Sequence, residues 1–137
     1  MADSFDKNKI SLRIAKQRFP FPNEEKPAWR TYVNDGSNSS PGLPTVDGDV
    51  HPDILVIDRA TTTNKYLMAA SVCVDKPSSE DIIIWLQISN VVDSFYVFVP
   101  KGYCREAAKL AGAGKVLVSG FRRFNLAGES IEINDCF

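Results

Sequence analysis

The stretch GDVHPDILVIDRATTTNKYLMAASVCVD, from Gly48 to Asp75, constrains the fold more than any other part of the chain. Ile54 to Ile57 is a continuous apolar, largely β-branched run, and it opens just after His51-Pro52, where a proline is tolerated at the start of a strand. Arg59 to Lys65 carries three threonines and an asparagine, the composition of a turn between strands. Tyr66 to Val74 is again apolar. These features predict a strand hairpin with Asp53 at its opening. Two-residue periodicity then puts Ser71, Cys73 and Asp75 on one face of the second strand and Ala70, Val72 and Val74 on the other. Such a strand either separates a core from a pocket or is an ordinary sheet strand with a tolerant face.

A hairpin of this kind needs a partner layer, and the chain is long enough to supply one. Its 137 residues, 44% of them hydrophobic, suffice for one globular domain, expected to span 1–137. A formal net charge of −1 gives no bulk attraction to nucleic acid or membrane, so any nucleic-acid surface must be a local basic patch. No apolar run approaches the roughly 20 residues that span a bilayer. The N-terminus MADSFDKNK lacks the apolar centre of a secretory signal. Cys73, Cys104 and Cys136 are widely spaced, with no Cys-x-x-Cys pair and one histidine in the whole chain. That pattern speaks against zinc and for reduced thiols in a cytoplasmic protein.

Before the hairpin, residues 5–19 fit an amphipathic helix. Ile10 and Ile14, with Leu12 beside them, form its apolar side, and Lys7, Lys9, Arg13, Lys16 and Arg18 make it basic. Clustered cations are either a solvated face or a phosphate-contacting one. Phe19-Pro-Phe-Pro ends the helix, because the residue before a proline is pushed out of the helical region. Trp29 to Asn34 alternates as a first strand. The stretch DGSNSSPGLPTVDGD that follows has no evident means of burying itself, and it reads as a long polar loop at about 35–50, a flap beside Asp53 or a disordered connector.

After Asp75, Ser78 and Asp81 have the spacing of a shortened capping box, predicting a helix over Ile82 to Val92 that is apolar nearly all round. The β-branched run Ile82-Ile83-Ile84 also fits a strand. Phe95 to Val99 reads as a strand ended by Pro100. Gly102 to Ala111 reads as a helix with glycines at its end, and Lys115 to Phe121 as another strand. Asn125 to Glu129 reads as a turn into a last strand, Ser130 to Ile133. Trp85, central in its apolar helix, is expected in the core and not on a base-stacking surface.

Pro52-Asp53 opening one strand, the short polar turn and the strand LMAASVCV together resemble the restriction-endonuclease-like, or PD-(D/E)xK, nuclease superfamily. So does the order helix, strand, long loop, strand hairpin, helix, strand, helix, strand. From Trp85 to Lys109, a tryptophan-bearing helix followed by SFYVFVPKGYCREAAKL is similar to small prokaryotic members. The resemblance covers most of residues 5–133. It implies a single-domain α/β core with a mixed central sheet flanked by helices.

In that superfamily an aspartate, and an acidic residue two positions before a lysine, hold a divalent metal, and the lysine orients the attacking water. The resemblance puts Asp53 on the aspartate, Ser71 on the second acid and Cys73 on the lysine. Serine is a poor Mg²⁺ ligand and cysteine supplies no ammonium, so the motif is degraded. The expected function is a non-catalytic, nuclease-fold binding or assembly module with no cofactor, whose partner is nucleic acid or an unknown protein and not a membrane. The alternative is a diverged nuclease in which Asp53 and Asp75 hold Mg²⁺ and Lys76 or Lys65 replaces the lysine.

Other chemistries have weaker support. His51 and Cys73 could form a thiol–imidazole pair, although a structural histidine and a buried cysteine are the simpler reading. The glycines of LAGAGKVLVSG follow a helix instead of preceding one, so they do not form a phosphate-binding loop. A small β-rich nucleic-acid binder built on Lys115–Ile133 is argued against by the two helices before it.

Overall fold

Apolar runs too short for helices and apolar runs at helical spacing alternate along the chain, and each becomes the element its pattern favours. A computed structural model describes residues 3–34, 41–60 and 62–137. Their order is α1 (Asp3–Arg18), β1 (Trp29–Val33), β2 (Leu43–Thr45), β3 (Gly48–Val50), β4 (Ile54–Asp58), β5 (Lys65–Val72), α2 (Ser79–Ser89), β6 (Ser94–Pro100), α3 (Cys104–Ala113), β7 (Gly120–Ala127) and β8 (Ser130–Asp135).

One mixed sheet has the order β1-β4-β5-β6-β7-β8. The hairpin β4–β5 is antiparallel, with Ile54 opposite Ala70 and Asp58 opposite Lys65. β5, β6 and β7 run parallel, a geometry that needs crossovers, and α2 and α3 supply them. Both crossovers pack on one face, where Trp85, Ile88, Ala107 and Ala111 meet Leu55, Ile57, Phe95, Val97 and Val99. α1 fills the other face, with Ile10, Ile14 and Phe19 against Ile54, Val56, Val72 and Phe98. Helices on both sides explain why β4 reads as an unbroken apolar run and not as an alternation.

α1 touches β1, β5 and β8 alike, so the sheet curls around it. At the β8 edge, Gln17 donates to the carbonyl of Ile131 at 3.1 Å and Arg18 to that of Ile133 at 2.9 Å. These bonds occupy edge acceptors that would otherwise pair with another strand. The result is a single α/β domain, and among the described residues no helix is long and apolar enough to cross a membrane.

The helix α2 forms where the capping spacing places it: the Ser78 N–H donates to the Asp81 carboxylate at 2.8 Å. Trp85 is fully buried, as expected. Ile83 and Ile84 are not, being 65% and 47% exposed, so the expectation of a helix covered nearly all round holds for the Trp85–Ile88 side alone. Leu12 likewise faces solvent, because it falls on the opposite side of α1 from Ile10 and Ile14.

Three sequence expectations need correction. Lys115 to Val118 is not strand: Lys115 takes a left-handed backbone (φ 58°), the Val116 N–H returns to the Ala111 carbonyl at 2.9 Å, and β7 begins only at Gly120. The alternation in KVLV comes from Val116 closing the end of α3 while Leu117 is exposed. As a result β7 runs through Asn125 to Ala127, the turn narrows to Gly128-Glu129, and β8 continues to Asp135.

The stretch read as a long loop at 35–50 is partly structured. Residues 35–40 lie outside the described residues, but β2 and β3 pair as a hairpin. Leu43 is fully buried in the α2 core, and Gln87 donates to Asp47 at 3.2 Å. Leu43, with the half-buried Val50 beside it, seats a segment otherwise made mostly of turn residues.

Finally, the thiols are not all reduced. Cys104 and Cys136, 32 residues apart, form a disulfide. The start of α3 and the end of β8 meet because α3 packs on β7, which carries β8 beside it. Sequence spacing could not register that proximity, and the thiol argument no longer speaks for a cytoplasmic setting.

Candidate functional site

Asp53 sits at the residue before β4, where the meander β1–β4–β5 brings three segments together. Its own carbonyl accepts the Asn34 N–H at 2.9 Å, which ties it to the end of β1. Its side chain points along the sheet edge to β5, where Oδ2 accepts the Val72 N–H at 2.7 Å. Oδ1 faces Lys7 Nζ of α1 at 3.2 Å. The carboxylate is 14% exposed, whereas the lysine is 39% exposed. Burial pushes the Asp53 carboxyl above the ordinary carboxylate range; Lys7 and the Val72 N–H pull it back, and the Asp81 carboxylate adds to the rise.

The other motif positions lie on the α2 side of β5, as periodicity predicts. The Ser71 hydroxyl accepts a hydrogen bond from Trp85 Nε1 at 3.0 Å, so it serves as the polar anchor of a buried indole. The Cys73 N–H donates to the Phe98 carbonyl at 2.8 Å. Its thiol is pushed up to about 12 by burial first, then by the nearby Asp81 carboxylate, with Asp53 adding and Lys7 opposing. A thiol held so high stays protonated and is a poor nucleophile at neutral pH.

Asp53 and Cys73 therefore belong to one cluster, joined by Lys7 and Asp81. Ser71 lies next to them and is turned toward Trp85. Asp75 is exposed beyond the end of β5, its carboxylate accepting the N–H of Lys76. Lys65 opens β5 opposite Asp58, so it sits at the far end of that strand from Cys73, on the order of 20 Å away at strand rise. His51 is exposed, and the charges felt by Cys73 come from Asp81, Lys7 and Asp53.

The cation at the site is thus Lys7, read from the sequence only as one member of a basic helix face. From the sequence, Asp81 is only a helix cap. Lys7 comes from a segment remote from the hairpin in sequence, and the capping pattern that marks Asp81 carries no sign of its approach to Asp53 and Cys73.

The donor set suits Mg²⁺ poorly. Asp53 has one oxygen on a backbone N–H and the other on an ammonium, Asp81 is engaged by the Ser78 N–H, and Ser71 is neutral. Among the described residues no three His, Cys, Asp or Glu side chains cluster as metal ligands would. The arrangement can hold α1 against the sheet edge through a shielded ion pair, and it can anchor α2 through the indole.

No family model matches the chain, and comparison with curated proteins and with solved structures found no match.

Proposed function

We propose that this chain has a restriction-endonuclease-like core whose motif positions have passed from catalysis to structure, and that it works as a non-catalytic binding or assembly module. Support for the core comes from the sequence of elements: a helix, an antiparallel meander with Pro52-Asp53 opening its second strand, then two helical crossovers into parallel strands. That order is the one the sequence resemblance implies.

The observation that carries the loss of catalysis is the use of each motif side chain. Asp53 is bound to Lys7 and Val72, Ser71 holds the Trp85 indole, and Cys73 is a half-buried neutral thiol. A phosphodiester-cleaving metal needs several anionic oxygens at close range, and the carboxylate that accompanies Asp53 in the cluster, Asp81, is engaged in capping α2. The motif position of the lysine is Cys73, and the cation that is present, Lys7, is paired with Asp53. A contribution that can be worth about 2.7–4 kcal/mol in an active site is thereby spent on an ion pair. The partner is nucleic acid or another protein, met without cleavage.

The test incubates the purified protein with single- and double-stranded DNA and RNA in Mg²⁺ or Mn²⁺, beside Asp53→Ala and the double variant Ser71→Glu/Cys73→Lys. The expected result is no cleavage that depends on Asp53. Cleavage that disappears in Asp53→Ala overturns the proposal and restores the diverged nuclease.

A further inference from the structure

Beyond the start of α3, the face of the sheet that carries α2 and α3 is bare. There β7 and β8 pair Arg123 with Asn134 and Asn125 with Glu132, and alternation puts all four side chains on the face that Phe121 and Cys136 occupy further along. Lys101, in the turn after β6, donates its N–H to the Phe124 carbonyl at 3.1 Å and so joins them. These five residues and Phe124 line a cavity of about 100 Å³.

Two of the lining side chains are cations and two are carboxamides. Among the described residues, none of Lys101, Arg123, Asn125 and Asn134 makes a side-chain hydrogen bond or ion pair. The adjacent cations differ: Arg122 is engaged by Asp135 at 3.0 Å and lies over the Tyr96 ring, and Arg18 is engaged by the Ile133 carbonyl. The unengaged donors on this part of the sheet therefore converge on one cavity, with Glu132 as their single counter-charge.

We propose that this cavity is a binding site for a phosphate group, either free or within a phosphodiester chain. A guanidinium fork, an ammonium and two NH₂ groups supply the donors a tetrahedral oxyanion takes, and an apolar or cationic ligand would leave them unused. A groove running past Ile10, Val74, Pro100 and Leu126 shares Lys101, Phe124 and Asn125 with the cavity. It leads toward the end of β5, where Cys73 precedes Val74, so a phosphodiester chain has a path away from the site. Glu132 tempers the affinity and gives the proposal a sign: removing its charge strengthens binding.

The role of the site rests on the binding-module reading, but the two fail separately. Cleavage that depends on Asp53 sinks that reading and leaves this site standing. The test titrates the isotopically labelled full chain with inorganic phosphate, and separately with a short single-stranded thymidine oligonucleotide, following the side-chain NH₂ signals of Asn125 and Asn134 and the Arg123 Nε–H. These signals are expected to shift and saturate. Affinity should fall about tenfold in Lys101→Ala/Arg123→Ala and rise in Glu132→Gln. For the oligonucleotide, the dependence of log K on log salt should flatten by about 0.7 per lost contact. Binding of the oligonucleotide well above that of phosphate identifies a phosphodiester ligand; equal binding identifies free phosphate. All the substituted residues are exposed, so the variants should keep the fold, which their amide spectra report. Unmoved Asn125 and Asn134 signals with both ligands, or a double variant that binds like the parent, overturns the proposal.

Discussion

Removing the Cys104–Cys136 crosslink should lower stability more than any surface change. The bond closes a loop over a sequence separation of 32, containing α3, β7 and β8. Restricting the unfolded chain to loops of that length amounts to about 3–4 kcal/mol at 25 °C. Few native contacts are lost with it: the Cys136 N–H still donates to the Phe121 carbonyl at 3.0 Å, and the Phe121 and Phe137 rings still meet edge to face. In the Cys104→Ser/Cys136→Ser variant the urea midpoint should therefore fall by about 2 M, and the thermal midpoint by about 10 °C or more. The unfolded variant is also less compact, so the slope of free energy on urea should rise. Wild-type protein treated with a dithiol reductant should match the variant, which separates loss of the crosslink from any effect of the serines. A double variant or reduced protein as stable as the oxidised parent would refute the loop-closure reasoning.

Trp85→Ala should lower stability by about 3–5 kcal/mol in denaturant unfolding, because the indole is fully buried and anchored on Ser71. Unchanged stability would show that the cavity closes without loss. For Asp53 the sign follows from a folded-state pKa raised above 3.8. Its contribution is fully present below the unfolded value and is lost as pH rises through the folded one, since the folded chain holds a proton that the unfolded chain has released. Asp53→Asn keeps an oxygen for the Val72 N–H, so its stability should decline less than the parent's as pH is raised from about 4; parallel pH profiles would contradict this. Cys73, with its thiol pushed up to about 12, should resist alkylation in the native protein at pH 8, where on the order of one thiol in ten thousand is ionised. Labelling faster than global unfolding would count against its burial.

Local signals alone specify the hairpin, the start of α2 and the burial of its indole. The hairpin of β4 and β5 was legible in its apolar runs and polar turn, and the faces of Ser71, Cys73 and Val72 in a period of two. The start of α2 was legible in Ser78 and Asp81, and the burial of Trp85 in its position on that helix. These depend on interactions within a few residues, which is the range over which periodicity and capping act.

Most of the rest depends on packing between residues distant in sequence. Lys7 reaches Asp53 from the other side of the sheet, and a basic helix gives no sign of which lysine will be paired. Cys104 finds Cys136 because α3 lies on β7, and Leu43 seats an otherwise polar segment on α2. The strand expected at Lys115 is a helix end because packing under α3 outweighed its local alternation. Likewise, Lys101 and Arg123 share a cavity only because β6 and β7 pair in parallel, with Pro100 opposite Phe124.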